Sequence, residues 1–449
     1  MKVVGLITEY NPFHNGHKYH IQEAKRVTQA DYVVAVMSGN FVQRGNPAVI
    51  DKYARTQMAL NNGVDLVLEL PVCYATASAE FFAHGAVSLL DRLGIIDTLC
   101  FGSECGDINL LASAANFLLK PPASFEDRLQ NFLREGLTYP AARLKALQHS
   151  LEDTEITNGQ ELSAVFTEPN NILGIEYMKA LHNLNSTMLP TTIQRISAHY
   201  HDTALTDSND VEVDAEVDVD SNSIPLATAY EKINLTISSA TAIRKAVHSK
   251  NNTSIDSFAE IKHSVPTDVY ENLVEQYLKT YPISNEDFSQ IIKYKLMSEG
   301  KQKLKEYLDI SNDLADRLKN ISDYSYNIAD LTQEIKTKNM TLARINRALI
   351  HLLLNIKTNN LMEYNRNGYV QYARVLGVKK ESSLLLRQIE QIERIPIITK
   401  VSKADEKLDF LGKRMLKEDI FASLLYNQAI YHKYGTIVPN EYKHGICLL

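Results

Sequence analysis

The chain has no tryptophan, only four cysteines and no basic excess: 47 lysines and arginines face 54 aspartates and glutamates across 449 residues, a formal net charge of −7. Each shortage excludes something. Cys73, Cys100, Cys105 and Cys447 show no paired metal-ligand spacing, so neither a zinc framework nor a disulfide scaffold is expected. Few, scattered thiols fit a reducing cytoplasm. The acidic balance gives no global field for nucleic acid and leaves only a local patch to look for. No apolar run reaches the roughly 20 residues that span a bilayer. The opening MKVVGLITEYNPF carries no small-residue cleavage site, so neither a signal peptide nor a membrane segment is expected. No obligate protein partner is evident, and the length suggests two or three domains.

What is present first is alternation. Short apolar runs at Lys2–Thr8, Asp31–Met37, Val64–Leu70 and Asp97–Phe101 read as buried strands. Helical spacing fills the intervals His17–Gln29, Asp51–Asn61 and Ser78–Leu93. Strands without polar alternation, separated by helices, predict a parallel sheet covered on both faces, an α/β fold. Ligands then bind beyond the carboxyl ends of the strands, at a switch in strand order. Tyr10-Asn11-Pro12, Ser38-Gly39-Asn40 and Gly102-Ser103-Glu104 fall at such ends. Further on come a helix at Pro169–Leu181, a strand at Thr191–Ala198 and an acidic stretch at 207–220. Seven acids without one base read as a solvated loop, with metal binding as the alternative. Helical signals resume at Ala227.

Two short stretches carry chemistry. His14-Asn15-Gly16-His17 lies on a loop that leads into a helix. Gly16 lets backbone approach a bulky ligand, and free N–H groups at a helix start suit phosphate. Two imidazoles there can follow charge as it builds on a leaving pyrophosphate. Far downstream, Ser238-Ser239-Ala240-Thr241-Ala242-Ile243-Arg244 offers capping hydroxyls and a forked guanidinium. Some residues stay open between roles. His20 is a phosphate contact or a helix-face residue; Arg195 is a ligand contact or a structural ion pair. Gly102 is a ligand contact or a strand-end turn, and Asn170-Asn171 a ligand contact or an N-cap pair. Glu9 is a candidate base, although attack on phosphorus by a carboxylate, already ionised at neutral pH, needs none.

EYNPFHNGHKYHIQEAK, with VVAVMSGNFVQRG, CFGSE, PNNILGIEY and ISSATAIRKA, resembles the HxGH nucleotidylyltransferase superfamily, which shares a fold with class I aminoacyl-tRNA synthetases. Within it the chain looks like the bacterial tRNA(Met) cytidine acetate ligase family. The resemblance is dense in the first half and thins toward the C-terminus. It implies a Rossmann-like domain over residues 1–265 in which acetate attacks ATP to give acetyl-adenylate. The acetyl group then passes to N4 of the wobble cytidine of elongator tRNA(Met). It implies that Ile7, Thr8, Glu9, Tyr10, Asn11, Pro12, Phe13, His14, Asn15, Gly16, His17, Lys18, Tyr19 and His20 cradle ATP. Gly102, Asn170, Asn171, Arg195, Ser238 and Ser239 join them, and His14, His17 and Arg244 serve catalysis. Mg²⁺ is expected with ATP, although no carboxylate cage for it stands out and no protein-held metal is expected. Ala240 stands where the superfamily more often has a second serine, so which hydroxyl meets phosphate stays open.

Beyond about Ser264 the alternation ends, and residues 266–449 read as a mainly helical domain. From Lys336 to Lys403 there are 13 bases and 4 acids, a local net charge of +9. That is the footprint of a polyanion-binding surface, with Arg344, Arg347, Lys379 and Lys380 as candidate RNA contacts. Tyr364, Tyr369 and Tyr372 are either base-stacking side chains or core. Three rival readings use the same motifs: a small-molecule adenylyltransferase acting on a mononucleotide or phosphopantetheine, a catalytically inactive RNA-binding protein, and a degenerate synthetase. The last lacks a KMSKS-like loop.

Overall fold

The computed structural model describes residues 1–137, 139–153, 159–195, 238–248, 260–321, 327–338 and 340–449. The acidic stretch 207–220, the run 196–202 and the helical signals from Ala227 lie outside the described residues.

The first half folds as its alternation requires. The strands are β1 (Val3–Thr8), β2 (Tyr32–Ser38), a small hairpin β3 (Phe41–Val42) and β4 (Asn46–Pro47), β5 (Leu66–Leu70), β6 (Thr98–Ser103) and β7 (Leu189–Gln194). The helices that matter here are α1 (Asn15–Thr28), α2 (Lys52–Asn61), α3 (Ala79–Leu93) and α4 (Pro169–Asn183). Asp51 caps α2 through the N–H groups of Tyr53 and Ala54, and Gly94 ends α3 in the left-handed conformation that favours glycine. β5, β2, β1, β6 and β7 lie side by side in that order, all parallel. Strand order reverses between β1 and β6, which places the switch point beside the HNGH loop. Alternate residues of β1 feed two cores: Val4 and Leu6 face α1, whereas Val3 packs with α3 and α4.

The second half is helix-rich, as expected, but it also enters the sheet. β8 (Ala373–Val378) pairs antiparallel with β5, and β9 (Ile397–Ile398) and β10 (Cys447–Leu448) pair with β8. The sheet is therefore mixed rather than wholly parallel, and the chain crosses back over residue 265. The run ARVLGV is buried throughout, and a Cβ at Gly377 would overlap Thr56 and Leu60 of α2. A six-residue apolar run inside a helical region has no periodicity to mark it as a strand.

A buried ionic network ties the halves together. Lys52 Nζ lies 2.7 Å from Glu69 and 3.0 Å from Glu441. Arg374 pairs with the same two carboxylates. Arg55, fully buried, donates to the carbonyls of Glu9, Ser38, Gly39 and Ile50, fixing the ends of β1 and β2. No helix among the described residues is long and apolar enough to cross a membrane.

Candidate active site

A cleft of about 830 Å³ opens at the carboxyl ends of β1 and β6. Its walls include Ile7 to Asn11, His14, Gly16, His17, Tyr19, His20, Gly102, Asn170 and Arg195. The segment Ser238, Ser239 and the helix α5 (Ala240–His248) closes one side through Thr241, Arg244, Lys245 and His248. Fragments more than two hundred residues apart in sequence thus meet at one site.

His14 caps α1 in an unusual way. Its Nδ1 accepts the N–H of Gly16 at 3.1 Å, and His17 Nδ1 accepts the N–H of His14 at 3.2 Å. This is a capping box with imidazoles in place of the usual serine and glutamate. A nitrogen that accepts a hydrogen bond carries no proton, so each neutral ring keeps its N–H at Nε2. The rings stack with centroids 3.7 Å apart. Burial, with Arg195 and Arg244 nearby, pushes His14 down to about 3. Burial, then His14 and Arg195, holds His17 well below its ordinary value. Burial and Arg195 bring His20 down to about 4, and its Nε2 has no hydrogen-bond partner among the described residues. Three neutral imidazoles therefore share one pocket with cations, a setting that calls for an anion.

Arg244 reaches across the site. It donates to the carbonyl of Asn11 at 2.7 Å and to Thr241 Oγ1 at 3.0 Å, pinning the second motif to the first. The serines have work of their own: Ser239 Oγ accepts the N–H of Ala242, and Ser238 Oγ meets Ser264 Oγ at 2.9 Å. Arg44, Arg195, Arg244 and Lys245 are opposed by one lining carboxylate, Glu9. Among the described residues no cluster of three or more His, Cys, Asp or Glu forms a metal site.

Five residues of the expected ATP cradle lie off the cleft wall: Pro12, Phe13, Asn15, Lys18 and Asn171. Phe13 is buried against Tyr10, with ring centroids 4.9 Å apart. Asn15 binds the carbonyl of His263 through its side chain and that of Ser264 through its N–H. Asn171 Oδ1 accepts the N–H groups of Glu104 and Cys105, while Asn170 donates to Glu104 Oε1 at 2.6 Å. Of the two asparagines, Asn170 faces the cleft and Asn171 braces it.

The candidate RNA contacts separate. On α6 (Leu342–Leu354), the backbone of Asn346 and Arg347 lies directly against Gly45, in the β3–β4 hairpin. That hairpin supplies Gln43, Arg44, Asn46 and Pro47 to the cleft, so Arg344 and Arg347 sit on a helix that borders it. Arg347 is ion-paired with Asp309 at 2.8 Å. Lys379 and Lys380 follow β8, which runs antiparallel to β5, and so lie at the opposite end of the sheet from the cleft. Lys379 is 4.0 Å from Asp65, whereas Lys380 is exposed. Tyr364 and Tyr372 are wholly buried, and Tyr369 is half-buried on His84. The stacking role fails for the first two, because aromatic area is used first to fill the core. Arg374, one of the 13 bases, is buried as well.

Arg44 is the lining residue that sequence reading missed, although it stands in the quoted MSGNFVQRG string. The apolar wall of Phe82, Phe101 and Tyr177 went unseen too, because each reads as ordinary core.

The HIGH Nucleotidyl Transferase family signature matches residues 1–212 and 226–437. The tRNA(Met) cytidine acetate ligase of Acetivibrio thermocellus is 38% identical over 431 residues, 95% of this chain and 94% of that one. The protein of the same name from Thermoanaerobacter sp. is 38% identical and covers 100% of both chains. The apo crystal structure of Thermotoga maritima TmcAL superposes with a TM-score of 0.86 at 29% identity, covering 100% of both chains. The same protein bound with alpha-thio ATP gives 0.84, also at 29% identity and full coverage.

Proposed function

The chain belongs to the HIGH nucleotidyl transferases and, among them, to the tRNA(Met) cytidine acetate ligase family, and from that premise we propose that it acetylates N4 of the wobble cytidine of elongator tRNA(Met), using acetate and ATP. The observation that carries this reading is the acid-poor cleft at the β1–β6 switch point, which two imidazoles with Nε2–H groups share with Arg195 and Arg244.

In the first step an acetate oxygen attacks the α-phosphorus, and pyrophosphate leaves. No covalent enzyme nucleophile is required; the task is positioning and charge neutralisation. His14 and His17 donate from Nε2 to phosphate oxygens, and neutral donors gain strength as negative charge develops on the leaving group. Arg195, Arg244 and Lys245 balance that charge. Gly102 lies under the side chain of Arg195, which it lets sit close to the end of β6. Mg²⁺ arrives with ATP and is held by its phosphates. A cytoplasmic location follows from the substrate.

In the second step the acetyl group passes to tRNA. Arg344 and Arg347 guide RNA toward the cleft by way of the Gly45 hairpin. Lys379 and Lys380 reach RNA only where it wraps round the β8 edge of the sheet. The relatives align over the whole chain, including the helical half that a small-molecule adenylyltransferase does not need.

The test is purified protein with ATP, Mg²⁺ and carbon-labelled acetate, with and without elongator tRNA(Met), followed by nucleoside analysis. ATP-dependent label in N4-acetylcytidine is the expected result. ATP consumption driven instead by a mononucleotide or phosphopantetheine would overturn the reading.

A further inference from the structure

The acetyl-transfer step needs something that adenylation does not. The exocyclic amine of cytosine is a weak nucleophile, because its lone pair is delocalised into the ring. As its bond to the acetyl carbon forms, N4 becomes acidic and must lose a proton.

The imidazoles are unsuited to take it. His14 and His17 already accept backbone N–H groups at Nδ1 and carry hydrogen at Nε2. A proton on His20 would create a second buried cation beside Arg195, whereas a proton on a carboxylate creates none. His248 is lowered by burial and Lys433. Tyr10 and Tyr177 are buried phenols raised above their ordinary value, so they stay protonated.

One group remains. Glu9 is the single carboxylate among the described lining residues, at the carboxyl end of β1. It is held twice: Arg55 Nη1 binds its main-chain carbonyl at 2.6 Å, and the N–H of Gln43 binds Oε1 at 2.9 Å. Oε2 takes no hydrogen bond from any described residue. Glu9 follows the last residue of β1 and lies close enough to Tyr177 to help raise that phenol. A fixed carboxylate with one oxygen open to the cleft, near Tyr177, has the geometry of a proton acceptor.

We propose that Glu9 is the general base of acetyl transfer, its Oε2 taking the proton from cytidine N4. This rests on the ligase reading above. The N4 lone pair forms the C–N bond to the acetyl carbonyl carbon. The bond from that carbon to the AMP oxygen breaks, and its electron pair leaves with AMP. The extra proton on N4 passes to Glu9 and then to water.

The experiment forms acetyl-adenylate from ATP and labelled acetate, then offers either hydroxylamine or tRNA(Met). Hydroxylamine is a strong nucleophile that depends little on an enzyme base, so it reports the adenylate alone. In Glu9→Gln, the ratio of acetylated tRNA to acetohydroxamate is expected to fall about 100-fold, the usual scale for loss of a general base, whatever smaller loss the two products share. Glu9→Asp recovers part of the transfer rate. Parental tRNA acetylation in Glu9→Gln overturns the proposal, as does an equal loss of both products or an aspartate no better than glutamine. A parent protein that yields hydroxamate but never acetylates tRNA refutes the ligase reading itself, and the proposal with it.

Discussion

The imidazoles of His14 and His17 stack with centroids 3.7 Å apart while each accepts a backbone N–H at Nδ1, so both present an Nε2–H edge. One pair of side chains therefore caps α1 and leaves two N–H donors to offer a ligand. The two duties separate on mutation. His17→Ala is expected to lower acetate-dependent ATP–pyrophosphate exchange by about 10²- to 10³-fold, the scale of losing one transition-state donor. Circular dichroism should remain that of the folded chain. His14→Ala also removes the cap acceptor and should cost about 1 kcal/mol of stability in denaturant unfolding. Parental exchange in His17→Ala would remove it from the mechanism.

The same pair makes stability depend on pH. Burial beside Arg195 and Arg244 keeps His14 neutral down to about 3, whereas in the unfolded chain it protonates near its ordinary 6.5. Below that value the unfolded state binds a proton that the folded state refuses. Stability is full above about pH 6.5 and falls as pH drops, by about 1.4 kcal/mol per pH unit for this one group. Thermal unfolding from pH 7.5 to 5 should show a fall steeper than that of one group, because His17 and His20 are lowered too. His14→Asn keeps a cap acceptor but no titrating ring, so its profile should be flatter. An identical slope in the variant would contradict the assignment.

Sequence reading reached the site because its chemistry is local. HNGH and ISSATAIR each announce a helix start with polar side chains, and the strands around them have unambiguous patterns. What it missed depends on long-range packing. β8 is a short apolar run whose partner, β5, lies some three hundred residues away. The +9 stretch looked like one surface, yet the turn of chain after β8 carries Lys379 and Lys380 to the far end of the sheet, and Arg374 goes inside. Charge counts along a sequence do not register which bases are paired within the fold. The sequence favours Asn170 over Asn171 only slightly; in the fold both bond Glu104, but Asn170 also lines the cleft, whereas Asn171 braces the backbone of Glu104 and Cys105.

Arg344 and Arg347 looked equivalent, and the structure makes them different experiments. Arg347 neutralises Asp309, so reversing its charge leaves that carboxylate facing a new one and lowers stability as well as binding. Arg344 has no ion pair with a described residue, and Thr341 caps its backbone N–H. Arg344→Glu should therefore weaken tRNA(Met) binding, lower the salt dependence of log K by about one unit of slope and leave pyrophosphate exchange at the parental rate. Filter binding at several salt concentrations measures it. An unchanged slope would place RNA elsewhere on the helical half.

The buried network beneath the cleft gives the largest stability effect. Lys52, Glu69, Arg374 and Glu441 are almost wholly buried, two cations against two anions, and Tyr53 OH adds a hydrogen bond to Glu441 at 2.7 Å. Burial alone would raise the Glu441 carboxyl, but Lys52 and Arg374 hold it well below the usual carboxylate range. A group with a depressed folded value contributes stability above its unfolded value, near pH 4.3, and loses it in acid. Glu441→Ala leaves two buried cations with one carboxylate, and breaking such a pair costs about 3–5 kcal/mol. Gly39 belongs to the same device, since a Cβ there would overlap Glu69 Oε1. Gly39→Ala should push Glu69 off Lys52 and disturb the Asn40 contact to the Lys52 N–H that starts α2. Urea unfolding of both variants should show lower midpoints than the parent, with Glu441→Ala the more severe. A Glu441→Ala midpoint equal to the parent's would show that the C-terminal segment does not clamp the sheet, and that the cleft is held by the first half alone.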